Sequence, residues 1–159
     1  MSSEAGLAVK SVIDQYERSF TLLRRSIECF DEVQWFNGIS PFEVPCTVAY
    51  HTLQCLVYYF RTDPATEYRD ISPKFGKDWW QLAEEDRPNQ SQMLDFLDEV
   101  SQIVISNLSG MTDEDLSKPF GATTNMGNIM YSMRHTMHHQ GGLNVLSIYH
   151  GIDSDLWDK

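Results

Sequence analysis

Residues 124–150, TNMGNIMYSMRHTMHHQGGLNVLSIYH, hold the pattern from which both the fold and the chemistry are read. The stretch reads as one long helix from about Thr124 to His150, with Gly151 as its C-terminal stop. Within it His135 and His139 stand at i and i+4. On a helix their rings project from one face, about 40° apart around the axis and roughly 6 Å along it. Two imidazoles at that spacing can bind one transition metal, as the first and last positions of H-E-x-x-H do. The intervening Glu is missing here, so no zincin-type general base is encoded. A third ligand has to come from elsewhere, and the candidate is His51.

Projected at 100° per residue, this helix has two apolar sides. Asn128, Tyr131, Gly142, Leu143, Leu146 and Tyr149 share the side of His135 and His139. Met126, Met130, Met133, Met137 and Ile148 lie roughly opposite. A second helix, from about Cys46 to Arg61, divides in the same way. Thr47, Val48, Cys55 and Tyr58 accompany His51, while Ala49, Leu53, Leu56 and Phe60 face away. One side of each helix should line an interior and the other should meet a further partner. If the histidine sides face inward, His51 meets His135 and His139 across that interior.

Two more helices complete the pattern. The first runs from about Leu7 to Phe30, with Val9, Val12, Ile13, Tyr16, Phe20, Leu23, Ile27 and Phe30 at spacings of three and four. Another starts near Ser91, read as its N-cap, and carries Met93 to Leu108 before Gly110. Asp31 to Pro45 is a connection with Gly38, Pro41 and Pro45 as breakers, and 110–123 is a linker. Residues 62–90 are too long for an ordinary connection between helices. Within them Gln81 to Asp86 reads as a short helical turn, and Trp79-Trp80 as a pair that docks on the helices. No segment reads as a strand pair. The expected fold is all-α, one four-helix bundle over residues 1–159 with a long crossover between its second and third helices.

Composition narrows the function. With 159 residues, 42% of them hydrophobic and 12% aromatic, the chain can bury a proper core. The net charge of -11 repels phosphate backbones, which argues against nucleic acid. No apolar run approaches a membrane span, and MSSEAGLAVK lacks the core of a signal peptide. Three cysteines, Cys29, Cys46 and Cys55, without CxxC spacing suggest reduced thiols and a cytoplasmic location.

Three imidazoles with a fourth position left open make the kind of site expected of a catalytic metal. Neutral imidazole suits zinc, nickel, iron or copper. A divalent ion is expected, zinc or nickel first and iron or manganese after them. Cys55, one turn beyond His51, is either a fourth ligand or a small buried core residue. His138 points about 100° away from His139 and belongs at the rim. His150, at the helix end, complements the dipole. Tyr58, Tyr131, Tyr149 and His138 are the candidates for proton transfer or for orienting the ligands.

The order of these motifs resembles a known family. Tyr50-His51-Thr52-Leu53 in one helix, and H-x-x-x-H-Q-G-G-L from His135 to Leu143 in another, are similar to the DinB-like, YfiT-type metalloenzymes. The likeness spans nearly the whole chain, from the first helix through Trp35 and Pro45 to the final Tyr149-His150-Gly151. It implies up-down-down-up connectivity, with His51, His135 and His139 in the three metal-binding positions. It further implies S-transferase, isomerase or hydrolase chemistry with a low-molecular-weight thiol or water, on a small-molecule substrate, in a homodimer. The Met126/Met130/Met133/Met137 stripe offers a route to such a dimer, or else packs on the 62–90 segment. The alternative is a non-catalytic dimeric bundle that binds a metal or ligand.

Overall fold

The computed structural model describes residues 6–152, and helix dominates it. Residues 1–5 and 153–159, the two ends of the domain expected over 1–159, lie outside the described residues. The described residues form five α-helices: α1 Leu7–Glu28, α2 Glu32–Trp35, α3 Pro45–Tyr59, α4 Gln90–Ser109 and α5 Asn125–Tyr149. The four long ones fall on the four apolar stretches, with ends shifted by a residue or two. Asn89, not Ser91, caps α4: its side chain accepts from Gln92 N, and Gln92 Oε1 accepts from Asn89 N. The short α2 falls inside the stretch expected as a plain connection. Its signal is the Asp31-x-x-Gln34 capping box, in which each side chain accepts from the other residue's backbone N–H. One turn of helix then buries Trp35, whose Nε1 donates to Pro88 O at 2.9 Å.

The apolar stripe of α1 supplies Val9, Tyr16, Phe20, Leu23 and Ile27 to the core. A single cluster of buried side chains draws on all four long helices. The first turn of α1 is capped from a distance. Gly6 has no side chain to do it, and the Asp113 carboxylate accepts from Ala8 N at 3.3 Å and Val9 N at 3.0 Å. A Cβ at Gly6 would overlap that carboxylate. Beyond the other end of α1, Gln90 Nε2 donates to the carbonyls of Ile27 and Phe30 at 2.8 and 2.7 Å.

Side-chain pairs fix the helix directions. Tyr16 Oη donates to Ile129 O at 3.1 Å, and Gln140 Nε2 pairs with Ser26 Oγ, so α1 and α5 run parallel. His51 lies against His139 while Asn128 Nδ2 donates to Tyr59 O at 2.8 Å, so α3 and α5 are antiparallel. Tyr50 packs on Phe96 and Asn107 Nδ2 donates to Phe60 O, so α3 and α4 are parallel. Arg24 pairs with Asp98, and Gln90 reaches Ile27, so α1 and α4 are antiparallel. Consecutive parallel helices require the chain to travel back the length of one of them, about 22 Å for the 15 residues of α3. The segment 60–89 makes that journey through 3-10 turns at Tyr68–Asp70, Trp79–Gln81 and Glu84–Asp86.

The linker after α4 differs from expectation by one small feature. Pro119–Phe120 and Thr123–Thr124 form a two-residue antiparallel pair, turned at Gly121 with φ +58. The glycine at the first central position of so tight a turn is what permits it. On α5, the side opposite the histidines packs largely on α1. Ser19 Oγ lies 3.4 Å from Met133 Sδ and 3.6 Å from Met137 Sδ, and Met130 stays 58% exposed. Among the described residues, no helix is long and apolar enough to cross a membrane.

Candidate metal centre

Because α3 and α5 are antiparallel, the middle of one faces the middle of the other, and this register brings His51 opposite His135 and His139. His51 Nε2 is 3.0 Å from His139 Nε2, which is itself 3.2 Å from His135 Nε2. The ring centroids of His51 stand 5.1 Å from those of His135 and 4.4 Å from those of His139. His51 and His135 thus each bring Nε2 close to the Nε2 of His139.

The spacing can be compared with what a cation needs. Ligand nitrogens about 2.0–2.1 Å from a tetrahedral zinc lie about 3.3–3.4 Å apart. The two observed separations are slightly shorter. Hydrogen bonding alone accounts for them poorly. An Nε2 atom offers one in-plane site, either an N–H or a lone pair, so His139 can make one good bond to its two neighbours. Three lone pairs around a shared cation would leave none of them opposed.

Electrostatics favours the neutral, ligating form of the rings. Burial pushes the His51 pKa down to about 3, helped by His139 and His135. Burial, His135 and His138 lower His139 to about 4. Burial, then His138, lowers His135. Protons therefore do not compete for these nitrogens near neutral pH. His135 Nδ1 is buried without a hydrogen-bond partner among the described residues. This departs from the usual arrangement, in which a ligating ring donates its second N–H to an oxygen.

Cys55 contributes a second donor set. Its Sγ lies 3.6 Å from His51 Nδ1 and 3.9 Å from Nε2, and His51, Cys55 and His135 offer ligand atoms all within 4.8 Å of one another. Such a group could hold a metal ion. The thiol is buried, and desolvation pushes its pKa up to about 12, so only a cation would draw it into the thiolate form. Tyr68, from the crossover, faces that sulfur and is itself pushed up by burial, then by Cys55.

Aromatic rings enclose the histidines. Trp79 lies 4.5 Å from His51, and Tyr59 lies 5.4 Å from His135, centroid to centroid. Trp79 thus brings the crossover onto His51, on the histidine side rather than on the Met stripe, while Trp80 rests on Tyr68 and is half exposed. Neither Trp79 nor Tyr59 was singled out as a site residue from sequence. Of the other candidates, Tyr131 stacks at 6.5 Å on His135, and His138 lies 5.0 Å from His139 at the cavity edge. Tyr58 turns instead to Tyr68 and the Arg61 guanidinium. Tyr149 packs on His150, ten residues along α5 from His139. His150 Nε2 donates to Asn37 O at 2.9 Å, tying the end of α5 to the connection after α2.

A cavity of about 590 Å³ adjoins His51 and His139, walled by Phe42, Val48, Trp79, Val145 and Leu146. Gly141 and Gly142 leave its α5 wall low: a Cβ at Gly142 would only touch Val48, and one at Gly141 would meet nothing. The volume lies in the range of small-molecule sites.

Comparison with known protein families, with curated proteins and with solved structures finds no match to this chain.

Proposed function

We propose that the chain is a divalent-metal-dependent enzyme of the DinB-like kind, with its helices forming an up-down-down-up bundle and His51, His135 and His139 as the metal ligands. The observation that carries this reading is the approach of three Nε2 atoms, from two helices, to separations of 3.0 and 3.2 Å. A bound ion would supply Lewis acidity, making a thiol or water acidic enough to serve as nucleophile near neutral pH. The protein's own part is to hold the three rings neutral, fix their directions by packing, and keep water away on one side. Trp79 and Tyr59 clamp His51 and His135, and the cavity beside His51 and His139 admits the substrate. His138, exposed at the cavity edge, is the group best placed to pass a proton between substrate and solvent. This supports a transferase or hydrolase acting on a small molecule, with a low-molecular-weight thiol or water as the attacking group.

Metal analysis on protein purified without an affinity tag tests the reading. About one equivalent of zinc or nickel, lost to chelator and regained on reconstitution, is expected. Less than about a tenth of an equivalent, with no gain on reconstitution, refutes it.

A non-catalytic reading is favoured by one observation: no carboxylate takes the place of a general base between His135 and His139. Strong chelator destabilisation without turnover of any thiol and electrophile pair would select it. In either case a homodimer through the outer side of α5 is proposed, on the exposure of Met130. Met130→Glu should then yield monomers by size exclusion. An unchanged elution volume across dilution would remove the dimer.

A further inference from the structure

We infer that the cavity beside the histidines is a binding site for an uncharged aromatic small molecule, and that without a bound metal ion it disfavours anionic ligands. The inference deepens the reading of a metal centre and rests on it only for where the ligand's reacting end would lie.

The argument begins with the walls. Phe42 and Trp79 meet edge to face, with centroids 6.1 Å apart, and Trp79 continues the aromatic surface onto His51 at 4.5 Å. Val48, Val145 and Leu146 face them from α3 and α5. Phe42 and Val145 remain 58% and 56% exposed beside this cavity. Large apolar side chains left in water at the mouth of a 590 Å³ space gain from an apolar occupant. A flat ring fits that role, because it can lie against Trp79 while Phe42 meets its edge.

Charge narrows the class further. No Lys or Arg lines the cavity among the described residues, and its one carboxylate is Glu43. His51 and His139 close its inner end. The chain as a whole carries -11. Without a bound metal ion, a carboxylate, sulfonate or phosphate on the ligand would meet no Lys or Arg inside and net negative charge outside. A substrate of this site should therefore present an uncharged ring to the walls and a single donor atom toward His51 and His139.

Two fluorescent dyes with one skeleton test this directly: neutral N-phenyl-1-naphthylamine and its sulfonate, 8-anilinonaphthalene-1-sulfonate. Each is titrated into the full chain, with and without zinc, in about 0.5 M salt, where charges more than a few Å apart are screened, and the two dyes are compared on the metal-free protein. The neutral dye should bind at least about ten-fold more tightly than the sulfonate. Phe42→Ala and Val145→Asp, both at exposed positions, should each weaken the neutral dye several-fold while zinc content stays as in the parent. Equal binding of the two dyes overturns the inference, and so does undiminished binding of the neutral dye by both variants. Zinc content is measured on the same samples. Protein that binds zinc yet does not discriminate between the dyes loses this inference alone. Protein that discriminates yet takes no zinc keeps the cavity as a ligand site and loses the metal centre.

Discussion

Replacing His139 by alanine should abolish stabilisation by zinc, and the size of the loss can be worked from the site. His139 Nε2 lies close to both of the others, 3.0 Å from His51 Nε2 and 3.2 Å from His135 Nε2. Without it His51 and His135 remain, with centroids 5.1 Å apart, beside Cys55; with Cys55→Ser carried in both proteins to remove that substitute donor, two imidazoles hold zinc far more weakly than three. Free zinc at about 100 times its Kd stabilises a folded protein by about 2.7 kcal/mol. For a chain of this size that corresponds to a rise of roughly 5–11 °C in Tm. Differential scanning calorimetry, with zinc and with chelator, reads the rise for each protein against its own metal-free form. The cost of deleting a half-buried ring therefore cancels. The parent should gain about 5 °C or more, and His139→Ala less than about 1 °C. A variant that keeps half of the parent's gain would show that the central nitrogen is not a ligand, and the three-imidazole argument would fail.

Three further outcomes are expected. The depressed pKa values give the metal-free protein a particular acid response: folded His51 and His139 bind protons less readily than the unfolded chain, so their contribution is complete above about pH 6.5 and fades as pH falls toward 4 and 3. Urea midpoints taken from pH 7 to pH 4 should fall more steeply for the parent than for a His51→Ala/His139→Ala double variant; equal slopes would refute the assignment. Cobalt-loaded parent protein should lack a near-ultraviolet thiolate-to-metal band, and Cys55→Ser should retain full metal, whereas a strong band that vanishes in Cys55→Ser would replace the three-histidine set by one containing Cys55. Asp113→Ala removes the acceptor for Ala8 N and Val9 N and should cost about 1 kcal/mol, or roughly 2–4 °C in Tm; no change in thermal unfolding would mean that water caps α1 as well as the carboxylate does.

Much of the site was readable because helical order repeats. His135 and His139 share a face by spacing alone, and His51 lies on a helix whose apolar residues divide into two sides. What projection around an axis omits is distance along it. Tyr149 lies about 40° from His135 around the axis yet stands fourteen residues farther on, about 21 Å at the helical rise, and packs on His150 instead. Tyr58 shares the sector of His51 but turns to Tyr68 and Arg61. The two-sided apolar character of α5 was visible, but not the fact that α1 covers much of the Met side. Trp79 over His51 was out of reach, since residues 60–89 have no repeat from which a direction could be read. The short α2 was within reach, because Asp31 and Gln34 stand three apart as a reciprocal cap requires.

The shared direction of α1 and α5 sets how this chain can be re-engineered. The start of α1 and the end of α5 lie at opposite poles, separated by about 33 Å if measured along the 22 residues of α1. A circular permutant joining those two points needs a bridge of at least about ten extended residues laid over the outside. Tandem fusion, by contrast, suits the geometry, because the tail of one copy leaves at the pole opposite the head of the same copy and meets the head of the next.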